Sequence, residues 1–203
     1  MKTIKSLIFT GLLACVGCIS VDVSIPSLCD SQAVSFPEPA DLSTACALAT
    51  ASGIGGSASY SLPPLTTTTT FDYSNDLNKI EKVAANLAVQ VNQLSLDNTN
   101  NDFSFVHFIE VDIQGANQVA FPTVVLATYT APTAGVGSEL DFVVNPDTNL
   151  LLNYLKSGQV LLTLTLNSNP VMVAQVCSLF KQGNLPSTVH MCVSASGSFS
   201  KKL

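Results

Sequence analysis

Arginine and tryptophan are both absent from this 203-residue sequence, and charged residues of any kind are scarce. They make up 11% of the chain, against about 25% in an ordinary soluble domain. The 8 basic residues are all lysines and stand against 14 acidic ones, so the formal net charge is -6. Because nucleic acids are bound through clustered Lys and Arg, this balance argues against a nucleic-acid partner. It also excludes a polybasic membrane patch.

Apolar residues are present in an ordinary proportion, 47% of the chain. Such a chain has enough apolar surface to bury and little charge repulsion to oppose folding, which excludes disorder. Serine, threonine, asparagine and glutamine take the places that charged residues usually fill. This composition predicts a folded domain whose exposed surface is polar, weakly charged and rich in β-structure.

The N-terminus has the parts of a secretory signal. Residues 1–5 (MKTIK) carry two lysines, and residues 6–17 form an apolar run. This run is shorter than the about 20 residues that span a bilayer as a helix. We therefore assign residues 1–17 to a signal peptide.

The end of this segment, Ala14-Cys15-Val16-Gly17-Cys18, resembles the lipobox of bacterial lipoproteins. The resemblance implies that Cys18 is lipidated and becomes the mature N-terminus. Leu12-Leu13-Ala14-Cys15 is an alternative site, but it would leave Cys18 as an odd thiol in an exported protein, so we favour Cys18. A plain signal peptide with a soluble product is the other option. Ile19 in place of Asp favours the outer membrane, by analogy with enteric lipoproteins.

Export would place the remaining cysteines in an oxidising compartment, where disulfides persist: Cys29, Cys46, Cys177 and Cys192. We expect these four to form structural disulfides. Four cysteines allow three pairings, and sequence alone does not choose among them. Pairing each cysteine with its nearest neighbour in sequence would close two loops of similar, moderate length. No C-x-x-C motif occurs among these four cysteines, and no histidine lies at ligand spacing from a pair of them, so no metal or other cofactor is expected.

We divide the mature chain into an N-terminal segment, residues 18–57, and a β-sandwich domain, residues 58–203. In the first, alternating apolar and polar residues predict a strand over 19–25, which Pro26 should end. A short helix is expected over residues 42–51. In the second, the threonine run 66–70 predicts an edge strand.

Further elements follow from periodicity and capping residues. Residues 74–85 predict a helix, and the alternation over 87–91 predicts a strand after it, although the 3–4 spacing out to Leu94 also allows one long helix. Residues 103–114 form the clearest strand. A helix is expected from Asn145 to Gly158, and a strand is slightly favoured over residues 171–180.

Short strands separated by turns, with one or two short helical insertions, predict a mostly β fold. We expect a single antiparallel β-sandwich. An immunoglobulin-like strand order is one topology that this pattern allows.

The titratable side chains of the strand over 103–114 are the obvious candidates for chemistry. His107 falls among the apolar positions, which favours a structural histidine. Glu110 and Asp112 share the other face about 6.6 Å apart, a separation typical of inverting glycosidases and equally of two exposed acids. We expect no catalytic set. A weak calcium site stays open, either at that pair or at the oxygen-rich cluster Asp97, Asn98, Asn100 and Asp102.

In layout, the sequence resembles uncharacterised cell-envelope lipoproteins of Gram-negative bacteria: a lipobox-like cysteine, a Val-Asp-Val-Ser-Ile strand, a compact β-domain and a late cysteine. The resemblance implies a non-catalytic protein of the outer membrane or its periplasmic side that acts by binding or within an assembly. Its expected partners are the membrane, through the lipid anchor, and an envelope protein. A carrier of an apolar ligand and a secreted hydrolase of unfamiliar type are the alternatives.

Overall fold

Strands dominate the computed structural model, which describes residues 8–9, 13–15, 18–52, 58–81, 85–98, 103–116, 120–132, 138–144, 148–156, 158–180 and 184–202. In chain order the elements are β1 (Ile8–Phe9), β2 (Leu13–Cys15), β3 (Cys18–Pro37), α1 (Leu42–Ser52), β4 (Ser59–Tyr60), β5 (Leu65–Asp72), α2 (Ser74–Glu81), β6 (Ala85–Asp97), β7 (Val106–Gly115), β8 (Val124–Thr130), β9 (Glu139–Asp141), β10 (Val143–Val144), α3 (Thr148–Lys156), β11 (Gln159–Ser168), β12 (Val171–Met172), α4 (Val173–Leu179) and β13 (Asn184–Lys202). The predicted mostly β fold class is confirmed.

Two antiparallel sheets carry nearly all of these strands. The first has the order β1-β3-β13-β6-β9, with β2 also paired to β3, and the second has the order β10-β8-β7-β11-β5. A separate two-stranded pair joins β12 to β4. Apolar side chains of both sheets are buried in one cluster, which gives the predicted sandwich arrangement. The first and last long strands, β3 and β13, are neighbours, whereas the constant-type immunoglobulin order places the first strand beside the second.

The pairing of β3 with β13 runs along the whole length of β3. Its register shifts where Leu28 pairs with Val193 and Ile25 pairs with Ala195, so two residues of β3 stand opposite one of β13. Pro26 is one of those two. The expectation that Pro26 ends the strand is therefore wrong, because a bulge accommodates a residue that cannot donate to the ladder.

The two sheets are connected along both of their sides. On one side β5 is the edge strand of the second sheet, as the threonine run predicts, and Thr67 Oγ1 donates a hydrogen bond to the Ser35 carbonyl of β3 at 2.9 Å. On the other side the chain passes from β9 in the first sheet to β10 in the second. Between them Phe142 is buried, and its N–H donates to the Leu94 carbonyl at 3.0 Å.

Alternation along the strands builds the core. In β11, for example, Val160, Leu162, Leu164 and Leu166 are buried while the residues between them are not. Burying each such side chain stabilises the fold by about 1.5–3 kcal/mol relative to leaving it exposed. The largest fully buried side chains are Tyr154, Phe36, Phe71, Phe103, Leu42, Leu77, Leu94, Leu96, Ile109, Ile113, Leu140 and Leu155.

The described residues contain four short helices, where the sequence predicts one over residues 42–51 and one or two insertions in the sandwich. Helices α1, α2 and α3 lie where the sequence indicates them, and α2 is followed by β6, so the choice of a helix and then a strand over residues 74–97 is confirmed. Gly158, after α3, has φ +118°, a conformation that favours glycine.

Helix α4 replaces the strand favoured over residues 171–180, and that prediction is wrong. Only Val171 and Met172 are extended. The buried residues Val173, Val176 and Leu179 recur at helical spacing, so one face of α4 packs into the core. Tertiary packing thus overrides the β-branched composition of the segment.

Candidate functional site

Cys18 is the first residue of β3, and the register places the end of β13 beside it. Lys202 is the register partner of Cys18, and Lys201 is the partner of Ile19. Strands β1 and β2, which pair with β3 over part of the same stretch, belong to the segment assigned to the signal peptide. The predicted lipidation site therefore lies at a strand end that also carries two basic residues.

The four remaining cysteines form two disulfides, and both join residues far apart in sequence. Cys29 pairs with Cys192, and Cys46 of α1 pairs with Cys177 of α4. The pairing of sequence neighbours is not the one observed. Two disulfides of this kind indicate a non-cytoplasmic location. No helix among the described residues is both long and apolar enough to cross a membrane.

Next to the Cys29–Cys192 disulfide, a serine and a histidine face each other across β3 and β13. Ser31 Oγ lies 2.8 Å from His190 Nδ1 in a hydrogen bond. His190 lies within β13, and no local sequence pattern identifies Ser31 as its partner. The signal that could have found the pair is the disulfide itself, because once Cys29 stands opposite Cys192 the antiparallel register places Ser31 opposite His190.

Asp30 lies between Cys29 and Ser31 in sequence, and its carboxylate accepts hydrogen bonds from its own strand. Oδ1 accepts the Ser31 N–H at 3.0 Å, and Oδ2 accepts from Gln32 Nε2 at 3.3 Å. The buried Tyr73 hydroxyl donates to the Met191 carbonyl at 2.7 Å. Burial, and then the charge of Asp30, raise the pKa of Tyr73. This part of the first sheet therefore combines the partly buried carboxylate of Asp30 with the Tyr73 phenol, which stays protonated.

The acids Glu110 and Asp112 lie on the outer side of the second sheet, as predicted. Their register partners on the two flanking strands, β11 and β8, are mostly threonines. Glu110 pairs with Thr165 and Thr128, and Asp112 pairs with Thr163 and Val125. We call this group of six residues the carboxylate face. Partial burial, and then the charge of Glu110, raise the pKa of Asp112. Val125 adds an exposed apolar side chain to this face.

His107 does not lie in the core, and the prediction that it shares the apolar face of its strand is wrong. The register shifts between Asn167 and Ser168 of β11, which pair with Phe108 and Val106, so His107 is the extra residue of a bulge. Its side chain is exposed, while its carbonyl accepts the Ala131 N–H at 2.9 Å. About 10 Å of strand rise separates His107 from Glu110, so the two do not form an acid–base pair.

Within the described part of the chain, no group of three or more His, Cys, Asp or Glu side chains is placed to hold a metal ion. Of the oxygen-rich cluster considered for calcium, Asp97 lies in β6, and Asn98 donates through Nδ2 to the Pro186 carbonyl at 2.5 Å. Asn100 and Asp102 lie outside the described residues. The space between the sheets, which a carrier would use for its ligand, is occupied by the aromatic and aliphatic side chains of the core.

Comparison with known proteins does not assign this chain to a family. No protein-family model matches this chain, and no curated protein matches it. Among solved structures, a chain of turnip yellow mosaic virus is similar at 10% identity, with a TM-score of 0.21 over 98% of this chain and 89% of that chain. A likeness at that TM-score carries no argument about fold or function.

Proposed function

We propose that this chain is a non-catalytic lipoprotein of the bacterial cell envelope, anchored through Cys18 and acting by binding or within an assembly. The observation that carries the proposal is the lipobox-like sequence that ends at Cys18, which is also the first residue of β3. Cleavage before Cys18 would remove β1 and β2 and leave the disulfide-linked sandwich intact. The lipid-bearing residue would then stand at a strand end, without a linker.

Two further features support an exported protein that binds rather than reacts. Both disulfides need an oxidising compartment to persist. The titratable candidates are spread over separate places, with His107 at a bulge, His190 on the first sheet and the carboxylate face on the second. His107 lies out of hydrogen-bond reach of the carboxylate face. His190 does have a hydroxyl within reach, Ser31 Oγ at 2.8 Å, but this pair is exposed, so water competes for the same hydrogen bond.

Intact-mass analysis of protein extracted from the membrane fraction tests the anchor. The mature wild-type protein should begin at Cys18 and carry acyl mass. A Cys18→Ser variant should lose the acyl mass and the membrane association. Cys15→Ser is the matched control, because it removes a nearby cysteine of the same segment and should leave both unchanged.

The outcomes separate the alternatives. A mature wild-type species without acyl mass would overturn the lipoprotein assignment and favour a soluble secreted product. Acyl mass that persists in Cys18→Ser but disappears in Cys15→Ser would move the anchor to Cys15. For the binding role, crosslinking in native membranes should give a discrete adduct with an envelope protein, and its absence would count against an assembly.

A further inference from the structure

The strand register places Cys18, near the start of the sequence, beside two lysines near its end. Cys18 opens β3, and Lys201 and Lys202 close β13 on the adjacent strand, opposite Ile19 and Cys18. The mature chain from Cys18 has 6 lysines and 14 acidic residues, and Lys201-Lys202 is its only pair of adjacent basic residues. A strongly acidic chain thus has two adjacent lysines at the strand end that would hold the proposed anchor.

From this juxtaposition we infer that the Cys18 end of the β3–β13 pair is a contact surface for anionic phospholipid headgroups. The inference rests on the proposed lipid anchor and adds a second, electrostatic contribution to it. Stable membrane binding commonly combines an acyl chain with basic residues. Two lysines fall short of the four to eight of a polybasic segment, so they assist the acyl chains and do not replace them.

The acidic residues of the same two strands lie farther from the Cys18 end, which predicts how the domain is oriented on a membrane. Moving away from Cys18 along β3, the first carboxylate is Asp22, opposite Ser198, and the next is Asp30. The far end of the pair, Pro37 opposite Asn184, lies about 60 Å away by strand rise. An anionic bilayer attracts the lysine end and repels the acidic remainder, so the acidic body should project away from the surface.

Transfer of the purified acylated protein between vesicles tests this surface. Donor vesicles of phosphatidylcholine with roughly one-third phosphatidylglycerol are compared with pure phosphatidylcholine, at about 0.1 M salt. The variant Lys201→Gln/Lys202→Gln should dissociate from the anionic donor vesicles about 30-fold faster than the wild type. This ratio corresponds to a loss of about 1 kcal/mol of binding free energy for each lysine. From neutral donors the two proteins should leave at the same rate.

A matched control removes the same charge elsewhere. Lys79→Gln/Lys156→Gln takes two lysines from α2 and α3 and should transfer as the wild type does. The difference between the wild type and the Lys201/Lys202 variant should also shrink at about 1 M salt, where the Debye length falls to about 3 Å.

The results distinguish failure of this inference from failure of the anchor. Acylated protein whose preference for anionic donors is the same with and without Lys201 and Lys202 would overturn the inference and leave the lipoprotein assignment standing. An equal loss of preference in the Lys79/Lys156 variant would also overturn it, because net charge and not position would then decide. A mature protein without acyl mass would overturn both.

Discussion

Cys29 and Cys192 are register partners on adjacent antiparallel strands, with their Cα atoms 4.0 Å apart and a disulfide between them. The bond joins the first long strand of the fold to the last, across 163 residues of sequence. It pins the register that sets Ser31 against His190. It also fixes which residues of β3 and β13 face the core, since a slip of one residue would turn every side chain to the other face.

The observed pairing makes a direct prediction for peptide mapping. Digestion without reduction should release Cys29 linked to Cys192 and Cys46 linked to Cys177. A peptide that links Cys29 to Cys46 would contradict the structure. Reduction should separate all four peptides.

Removing either disulfide should cost stability by a similar amount. The loops closed are long and comparable, with separations of 163 and 131 residues. Loop-closure entropy depends on the logarithm of loop length, so we expect Cys29→Ser/Cys192→Ser and Cys46→Ser/Cys177→Ser each to lower the free energy of unfolding by about 2–5 kcal/mol. Urea denaturation measures both. Losses that differ by more than about 2 kcal/mol would show that local packing, and not loop closure, dominates.

Local patterns explain why so much of the fold could be predicted. Strands β5 and β7, and helices α1, α2 and α3, follow the period of their own apolar residues or their capping residues. The segment forming α4 has β-branched residues that favour a strand, and its helix depends on burying Val173, Val176 and Leu179 against the rest of the fold. The predictions for Pro26 and His107 are wrong for a related reason, because a bulge depends on the neighbouring strand.

The candidate site was harder to predict, since its parts are joined only by register. Cys18 and the pair Glu110 and Asp112 could be identified within short stretches of sequence. The contact of Ser31 with His190 and the approach of Lys202 to Cys18 bring together residues more than 150 positions apart. Nothing in either local sequence specifies the partner strand.

Gly115 provides a test of close packing at the end of β7. A Cβ atom at this position would lie 2.5 Å from Phe121 Cβ, so Gly115→Ala forces a shift of the chain around Phe121. We expect a loss of about 1–3 kcal/mol in the free energy of unfolding. The double variant Gly115→Ala/Phe121→Gly should lose less than the sum of the two single variants, because both Phe121 atoms that crowd the new Cβ, Cβ at 2.5 Å and Cγ at 2.9 Å, are then gone. Strict additivity in thermal or urea denaturation would contradict this explanation.

The Tyr73 hydroxyl should stabilise the fold through its bond to the Met191 carbonyl. Tyr73→Phe keeps the ring in the core and removes the donor, so the free energy of unfolding should fall by about 1 kcal/mol. Tyr60→Phe is the matched control: its hydroxyl donates to Asp41 Oδ1 at 2.6 Å in an exposed place where water can replace it. Urea denaturation should therefore show the smaller loss for Tyr60→Phe, and an equal loss would contradict the role of burial.

Tyrosine ionisation should begin at higher pH in the folded protein than in the unfolded chain. Burial is the largest cause that raises the pKa of each of the four tyrosines, Tyr73, Tyr129, Tyr154 and Tyr60, the last to about 12. Since the folded pKa lies above the unfolded value of about 10, this contribution to stability is complete below pH about 10 and is lost as the pH rises through the folded values. Tyrosinate absorbance measures the titration. Identical titration curves in buffer and in urea would contradict it.

Asp112 offers a test of repulsion on the carboxylate face. Its pKa is raised by partial burial and by Glu110, so the ionised form is the less favourable one in the folded state. The contribution of Asp112 to stability is therefore present below its unfolded pKa and is lost as the pH rises through the folded pKa. We expect Asp112→Asn to increase the free energy of unfolding at pH about 7 by up to about 0.5 kcal/mol, as for other surface changes, and to have no effect at pH about 3. Glu110→Gln should give part of the same gain, whereas Glu139→Gln, at an exposed position of β9 in the other sheet, should give none. A gain in Asp112→Asn that is equal at both pH values would mean that the amide packs better than the carboxyl, and that charge is not the cause.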